Sequence, residues 1–107
     1  MRKWGFLTNH ALVLLNVFEH PNSTLREIAH AVGITERATL SIVRALEEER
    51  IISRRKEGRR NHYRVDVRAV MEHQTSALYT VKEIVTRMAQ LVRWLQERGD
   101  DETALSG

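Results

Sequence analysis

Cysteine is absent from the 107 residues, and proline occurs only once. Without thiols the chain has no disulfide bonds, no thiolate metal ligands and no cysteine nucleophile. That absence fits a cytoplasmic protein, and we expect this location. A chain of this length folds as one domain, or as one domain with an appended helix, and leaves no room for a second catalytic domain.

Long hydrophobic runs are missing as well. No window approaches the roughly 20 apolar residues that a membrane span needs. The N-terminal stretch MRKWGFLTNHALVLLNVF has two early cations and an apolar segment, but polar residues interrupt the segment and no small-residue cleavage site follows. We therefore do not interpret it as a signal peptide, and we expect no membrane partner.

The common enzyme motifs are not present. The sequence has no glycine-rich phosphate loop, no Gly-x-Ser-x-Gly elbow and no carboxylate pair in an obvious cleft. Its five histidines lack a paired spacing such as His-x3-His. We predict neither an enzyme nor a bound cofactor or metal; a zinc site across a dimer, using His62, Asp66 or His73, stays a minor alternative.

Positive charge is concentrated in the first two thirds of the chain. Residues 1–66 carry 12 Lys and Arg against 8 Asp and Glu, whereas residues 67–107 carry 5 against 6. A clustered basic excess is the usual electrostatic footprint of nucleic-acid binding.

Three helices are predicted before residue 50. The first covers 8–19 with Thr8 or Asn9 as its N-cap, and its broad buried face is expected to contain Leu12, Val13, Leu15 and Val17. The dipeptide His20-Pro21 ends it, because proline cannot continue the helical hydrogen bonds.

The second and third helices have the spacing of a helix-turn-helix. Thr24 and Glu27 form a capping box, Gly33 lies at a C-cap position, and Thr35 caps a third helix that runs to about Glu49. In this third helix four residues recur on the inner face: Thr39, Ile42, Val43 and Leu46. The cap and outer face are predicted to read bases in the major groove: Thr35, Glu36, Arg37, Leu40, Ser41 and Arg44.

A basic hairpin is predicted after the third helix. Strand alternation runs through Ile52, the turn is Glu57 to Arg60, and Asn61, Tyr63 and Val65 lie on the core face of the returning strand. The cationic side chains of such a wing are placed to meet phosphates or the minor groove. The predicted wing contacts are Arg54, Arg55, Lys56, Arg59, Arg60, His62 and Arg64.

The last third of the chain contains a heptad seam. Asp66 caps a short helix, and the polar stretch His73 to Ser76 interrupts the helical pattern. From residue 78 onward apolar residues recur by three and four, with a second apolar line beside them. The predicted dimerisation residues are Leu78, Val81, Ile84, Val85, Met88, Leu91, Val92 and Leu95.

Two motifs carry a resemblance to a known group of proteins. The segments Gly33-Ile34-Thr35-Glu36-Arg37-Ala38 and Gly58-Arg59-Arg60-Asn61-His62-Tyr63-Arg64-Val65 resemble small prokaryotic winged-helix regulators of the broad MarR and ArsR types. The resemblance covers roughly residues 4–66. It implies a DNA-binding transcriptional regulator, most often a repressor, that works as a homodimer. It also implies that Thr35 caps the recognition helix, that residues 36–44 supply readout, and that Arg59 and Arg60 are wing contacts.

We therefore predict a mainly α fold with a small β-hairpin wing: a winged helix-turn-helix domain at 1–66, a C-terminal dimerisation helix region at 67–98 and a disordered tail at 99–107. The expected partners are double-stranded DNA and a second copy of the chain. A small-molecule effector is neither indicated nor excluded. Two alternatives stay open: a non-specific architectural DNA-binding protein, and a protein-interaction module with the same fold.

Overall fold

The computed structural model describes residues 7–99. Five α-helices and one two-stranded antiparallel sheet follow one another along this part of the chain. Their bounds are α1 Asn9–Glu19, α2 Leu25–Val32, α3 Glu36–Glu48, β1 Ile52–Glu57, β2 Arg60–Val65, α4 Val67–Glu72 and α5 Val81–Glu97. The predicted fold class, mainly helical with a hairpin wing and a C-terminal helix, is confirmed.

Helix α1 begins where its cap was predicted. The Thr8 side chain accepts a hydrogen bond from the Ala11 amide, and Val13 and Val17 are fully buried. The prediction was wrong for Leu15, which is 47% exposed. The period of 3.6 residues places it beside the buried stripe rather than within it.

The helix-turn-helix is built by local capping. Thr24 and Glu27 form a reciprocal capping box on α2, and Gly33 ends α2 with a left-handed φ of 83°. Thr35 then accepts a hydrogen bond from the Ala38 amide at the start of α3. Since a side chain at the φ of Gly33 would be strained, glycine is the residue that permits the abrupt turn.

The wing is a tight hairpin. Ile52 pairs with Val65 and Glu57 pairs with Arg60, so the loop has only two residues, Gly58 and Arg59. Gly58 has a φ of 61°, which suits the first central position of a type II′ turn. The sequence-predicted turn is confirmed.

The core of the first unit lies among α1, α2, α3 and the base of the hairpin. Its fully buried side chains include Val13, Val17, Ile28, Val43 and Thr39. The Thr39 hydroxyl donates to the Thr35 carbonyl at 2.8 Å, so its burial leaves no unpaired donor. The four inward positions predicted for α3 are all buried.

The chain divides into two compact units, Met1–Ala69 and Val70–Gly107. In the second unit the helical pattern breaks between α4 and α5, where Gln74 and Thr80 form an isolated antiparallel bridge. Leu78 therefore lies outside the helix that the heptad pattern assigned to it. Thr80 and Glu83 form a capping box that starts α5 at Val81, three residues later. The predicted tail lies, apart from Gly99, outside the described residues.

No helix within residues 7–99 is long and apolar enough to cross a membrane.

Candidate nucleic-acid interface

Helix α3 presents a polar face away from the core. Glu36, Arg37, Ser41 and Arg44 are exposed, whereas Leu40 is half-buried. Thr35 is used as the N-cap, which sets the direction in which the first turn of α3 starts. The structure therefore brings the predicted readout residues together on one helix face.

A concave surface of about 580 Å³ lies among the first turn of α2, the outer face of α3 and the wing. Five of its side chains are cationic and one is acidic, so its potential is positive. We call it the cationic groove, and it is lined by Thr24, Leu25, Arg26, Glu36, Leu40, Arg44, Arg54, Lys56, Arg59 and Asn61.

Sequence reasoning did not identify Arg26 as part of this surface. Arg26 lies in the first turn of α2, and nothing in the linear pattern relates α2 to a hairpin some 30 residues later. The helix-turn-helix assignment was the one available signal, since it places the start of α2 beside the recognition helix.

The wing cations fall into two groups by their contacts. Arg54 pairs with Glu47 at 3.2 Å, Arg55 pairs with Glu57, and Arg60 pairs with Glu27 at 2.6 Å. Among residues 7–99, by contrast, the side chains of Lys56, Arg59 and Arg64 have no hydrogen bond or ion pair. Lys56 and Arg59 line the cationic groove.

Four of the seven predicted wing residues do not line the cationic groove. Arg64 lines a different concavity, together with Arg50 and Asp66. His62 is half-buried, and its Nδ1 lies 2.6 Å from Asn22 Oδ1. Arg55 and Arg60 are the other two, so the structure gathers three of the seven predicted wing residues, Arg54, Lys56 and Arg59, in the groove beside α3.

Two titratable groups near the hairpin, Glu27 and Tyr63, have shifted pKa values. Hydrogen bonding from the Thr24 amide, followed by that from the Arg60 guanidinium, lowers the pKa of Glu27. Burial raises the pKa of Tyr63, which is 2% exposed, while the hydrogen bond from Asn61 opposes the shift. Glu27 is thereby held as a carboxylate under the first turn of α2.

Helix α5 has no buried residue. Six of its large apolar side chains are exposed: Ile84 37%, Val85 47%, Met88 44%, Leu91 50%, Val92 49% and Trp94 47%. Val81 and Leu95 are half-buried, and Leu78, before the helix, is 76% exposed. An apolar face of this extent at a spacing of three and four is typical of a helix that packs against another surface.

Within residues 7–99 no three metal-ligating side chains lie together. Neither His62 nor His73 therefore has a ligand set around it in the described part of the chain.

Comparisons with known proteins agree with this geometry. Residues 12–53 match the profile of the family described as winged helix-turn-helix DNA-binding. No curated protein sequence matches the chain significantly.

Solved structures of one regulator share the fold. MepR, a transcription regulator of the Staphylococcus aureus multidrug efflux pump MepA, superposes with a TM-score of 0.63 at 16% identity, over 92% of this chain and 70% of MepR. A point mutant of S. aureus MepR bound to an oligodeoxyribonucleotide gives 0.58 at 18% identity, with the same coverage. MepR bound to ethidium bromide gives 0.64 at 15% identity, over 99% and 74%.

These matches confirm the resemblance to winged-helix regulators that the two sequence motifs carry. Residues 12–53 are similar to the winged helix-turn-helix DNA-binding family, and the fold of the chain is similar to that of MepR.

Proposed function

We propose that this protein is a sequence-specific DNA-binding transcriptional regulator that binds as a homodimer, and that it acts as a repressor, as the resemblance of its motifs implies. The observation that carries the proposal is the cationic groove. It combines the exposed face of a recognition helix with five cations from three separate elements. A surface of that composition suits a phosphate backbone with base edges beside it.

The side chains of α3 read the bases in this proposal. Arg37 and Arg44 are matched to guanine O6 and N7, Glu36 to the cytosine amino group, and Leu40 to a thymine methyl group. Leu40 and Arg44 line the groove from the outer face of α3, which supports a contact of this face to base edges.

The wing supplies contacts that position the protein without reading sequence. Lys56 and Arg59 line the groove and are not paired with any described side chain, so their charges are available to phosphates. Arg54 lies in the same groove but pairs with Glu47. We assign the main phosphate contacts to Lys56 and Arg59.

Dimerisation occurs through α5 in this proposal. Its exposed apolar face is unfavourable in water, and a second copy of the same face is a self-complementary cover. Two recognition helices in such a dimer meet half-sites about one helical turn, roughly 34 Å, apart, so the operator is a near-palindrome.

The proposal is tested by selection from a randomised duplex library at about 150 mM salt, followed by sequencing of the retained DNA. We expect a near-palindrome with half-sites about 10 base pairs apart. Retention without sequence enrichment would indicate an architectural DNA-binding protein instead. Absence of retention would indicate a protein-interaction module and would refute the proposal.

Repression is tested separately. A reporter gene placed behind the selected operator is expected to lose expression when the protein is present, and to recover it with Arg37→Ala. Increased expression of the reporter would show that the protein is an activator.

A further inference from the structure

Two adjacent arginines at the tip of the wing lie on different sides of the hairpin. Arg59 lines the cationic groove, beside Leu40 and Arg44. Arg60 lines a separate concavity of about 540 Å³, which also contains Glu19, His20 and Glu27. Sequence alone gives the two residues the same role, whereas their surroundings differ completely.

The Arg60 guanidinium is engaged by the first turn of α2 and the loop before it. Its Nη1 donates to Glu27 Oε1 at 2.6 Å and to the Asn22 carbonyl at 3.0 Å. The Glu27 carboxylate also accepts the Thr24 amide at 2.8 Å as part of the capping box. The acceptor is therefore held in place before Arg60 reaches it, which lowers the entropic cost of the contact.

Two further contacts join β2 to the same loop. His62 Nδ1 lies 2.6 Å from Asn22 Oδ1, and the Tyr63 amide donates to the Pro21 carbonyl at 2.7 Å. With Arg60, three of four successive residues of β2 thus bond to the pair Pro21-Asn22. These bonds join strand β2 to the α1–α2 loop, and the Arg60–Glu27 pair joins it to the start of α2.

These contacts govern the placement of the wing more than the stability of the fold. The side chains of Arg60 and Glu27 are 55% and 51% exposed, and solvent-exposed ion pairs contribute little to folding. However, Arg60 is 33 residues from Glu27 and 38 residues from Asn22 in sequence, so these two contacts join distant segments and restrict the angle between the wing and α2. That angle sets where Arg59 lies relative to α3.

We propose that Arg60 is a positioning residue that holds the wing against the α1–α2 loop, and that Arg59 is the member of the pair that contacts DNA. The positioning role of Arg60, the first half of the proposal, is supported by its contacts in the protein without DNA. The second half rests on the proposed function.

The first half is tested without DNA by amide hydrogen exchange measured by NMR. The Tyr63 amide reports the junction between β2 and Pro21, and the Val43 amide in α3 reports opening of the core. In Arg60→Ala we expect Tyr63 to exchange several-fold faster relative to Val43. Glu27→Gln, which retains a capping side chain, should also accelerate exchange of the Tyr63 amide. The double variant should exchange little faster than either single variant.

Arg59→Ala is the matched control, since it removes an equal charge from the neighbouring residue. It should leave the exchange of Tyr63 unchanged. Equal exchange in wild type and Arg60→Ala would overturn the positioning role.

The second half is tested by the salt dependence of binding to the selected duplex. Each lost phosphate contact reduces the slope of log affinity against log salt by about 0.9. Arg59→Ala should therefore reduce it by about 0.9 per subunit. Arg60→Ala should keep the wild-type slope while its affinity falls several-fold, because the released wing must be ordered on binding before it makes the same phosphate contacts.

The two halves fail separately. A slope reduced by Arg60→Ala as much as by Arg59→Ala would make Arg60 a DNA contact and refute the assignment. If the wild-type protein binds no duplex, the proposed function fails, while the exchange experiment still decides whether Arg60 holds the wing.

Discussion

Arg50 follows helix α3 in a backbone conformation that suits glycine. Its φ is 59°, and it is the one non-glycine residue with positive φ between residues 7 and 99. The Arg50 amide donates to Glu47 O at 2.9 Å and the Ile51 amide to Leu46 O at 3.0 Å, which is the Schellman pattern. A side chain in this region costs roughly 1–2 kcal/mol.

Replacing this residue tests the cost of its conformation. Arg50→Gly should raise the free energy of unfolding by about 1 kcal/mol, after the larger chain entropy of glycine is subtracted. Urea denaturation followed by circular dichroism measures the change. Arg50→Ala removes the charge but keeps the Cβ, so it should remain within about 0.5 kcal/mol of wild type. If Arg50→Gly and Arg50→Ala stabilised the protein equally, the gain would come from loss of the Arg50 charge and not from relief of its backbone conformation.

Glu27 couples the stability of the first unit to pH. Its pKa is lowered in the folded protein by the Thr24 amide and by Arg60, so folding favours the carboxylate. The resulting stability is fully present above the unfolded pKa, which is about 4.3 for glutamate, and is lost as pH falls through the lower folded value.

We therefore expect the melting temperature of wild type to fall more steeply below about pH 4.3 than that of Glu27→Gln, which has no proton to gain. Thermal melts followed by circular dichroism at about pH 6 and at successive points below about pH 4.3 give the comparison. Glu48→Gln removes another carboxylate from the same unit and should retain the wild-type steepness. Parallel pH profiles for wild type and Glu27→Gln would show that this carboxylate is not linked to folding.

At the scale of elements, the local signals predicted the structure well. Thr24 with Glu27 and Gly33 define α2 through contacts only a few residues apart, and a two-residue turn at Gly58 fixes the hairpin. These features depend on neighbouring residues and are therefore visible in a sequence. The same locality explains why α3 was predicted to within one residue of its end.

Features that depend on distant residues were not predictable. The partner of Arg60 lies 33 residues away, so nothing near Arg60 distinguishes it from Arg59. Leu78 fits the heptad pattern, yet it lies before α5. The bridge between Gln74 and Thr80 precedes the helix, and the Thr80 cap starts it at Val81. Periodicity identifies a face, but a cap decides where the helix begins.

Helix α3 should control sequence preference independently of the wing. Arg37 is exposed on its outer face, where a bidentate contact to guanine is worth roughly 1–3 kcal/mol of discrimination. Arg37→Ala should therefore relax the preference at one base pair of each half-site by that amount, measured by competition between variant duplexes. Arg93→Ala, which removes an exposed arginine from α5, should leave the preference intact. An unchanged preference in Arg37→Ala would show that this residue is not part of the readout face.

At the scale of the whole molecule, the proposed dimer makes α5 the element that determines whether one or two copies of α3 reach the DNA. A single winged domain presents few phosphate contacts, and linking two of them raises the overall affinity by about 10² to 10⁴ through effective concentration. The exposed side chains of α5 are the surface of the described chain best suited to that link, because they are apolar along most of the helix.

Met88 lies near the middle of this apolar face and is 44% exposed. A glutamate at this position would bury an unpaired charge in a dimer but would remain solvated in a monomer. Met88→Glu should therefore convert a dimer to a species of one chain, 12.4 kDa, by light scattering. Affinity for the selected palindrome should fall by about 10² or more, while a single half-site is bound as before.

The matched control is Gln90→Glu, because Gln90 is exposed on α5 outside the apolar lines and the new charge is the same. It should remain dimeric and bind the palindrome normally, which separates the position of the charge from its presence on the helix. A Met88→Glu protein that stays dimeric would place the interface elsewhere. Wild-type protein that is monomeric at micromolar concentration, yet selects a palindrome, would indicate that DNA itself brings the two copies together. In that case the apolar face of α5 would need a different partner, and the regulator would depend on that partner as well as on its operator.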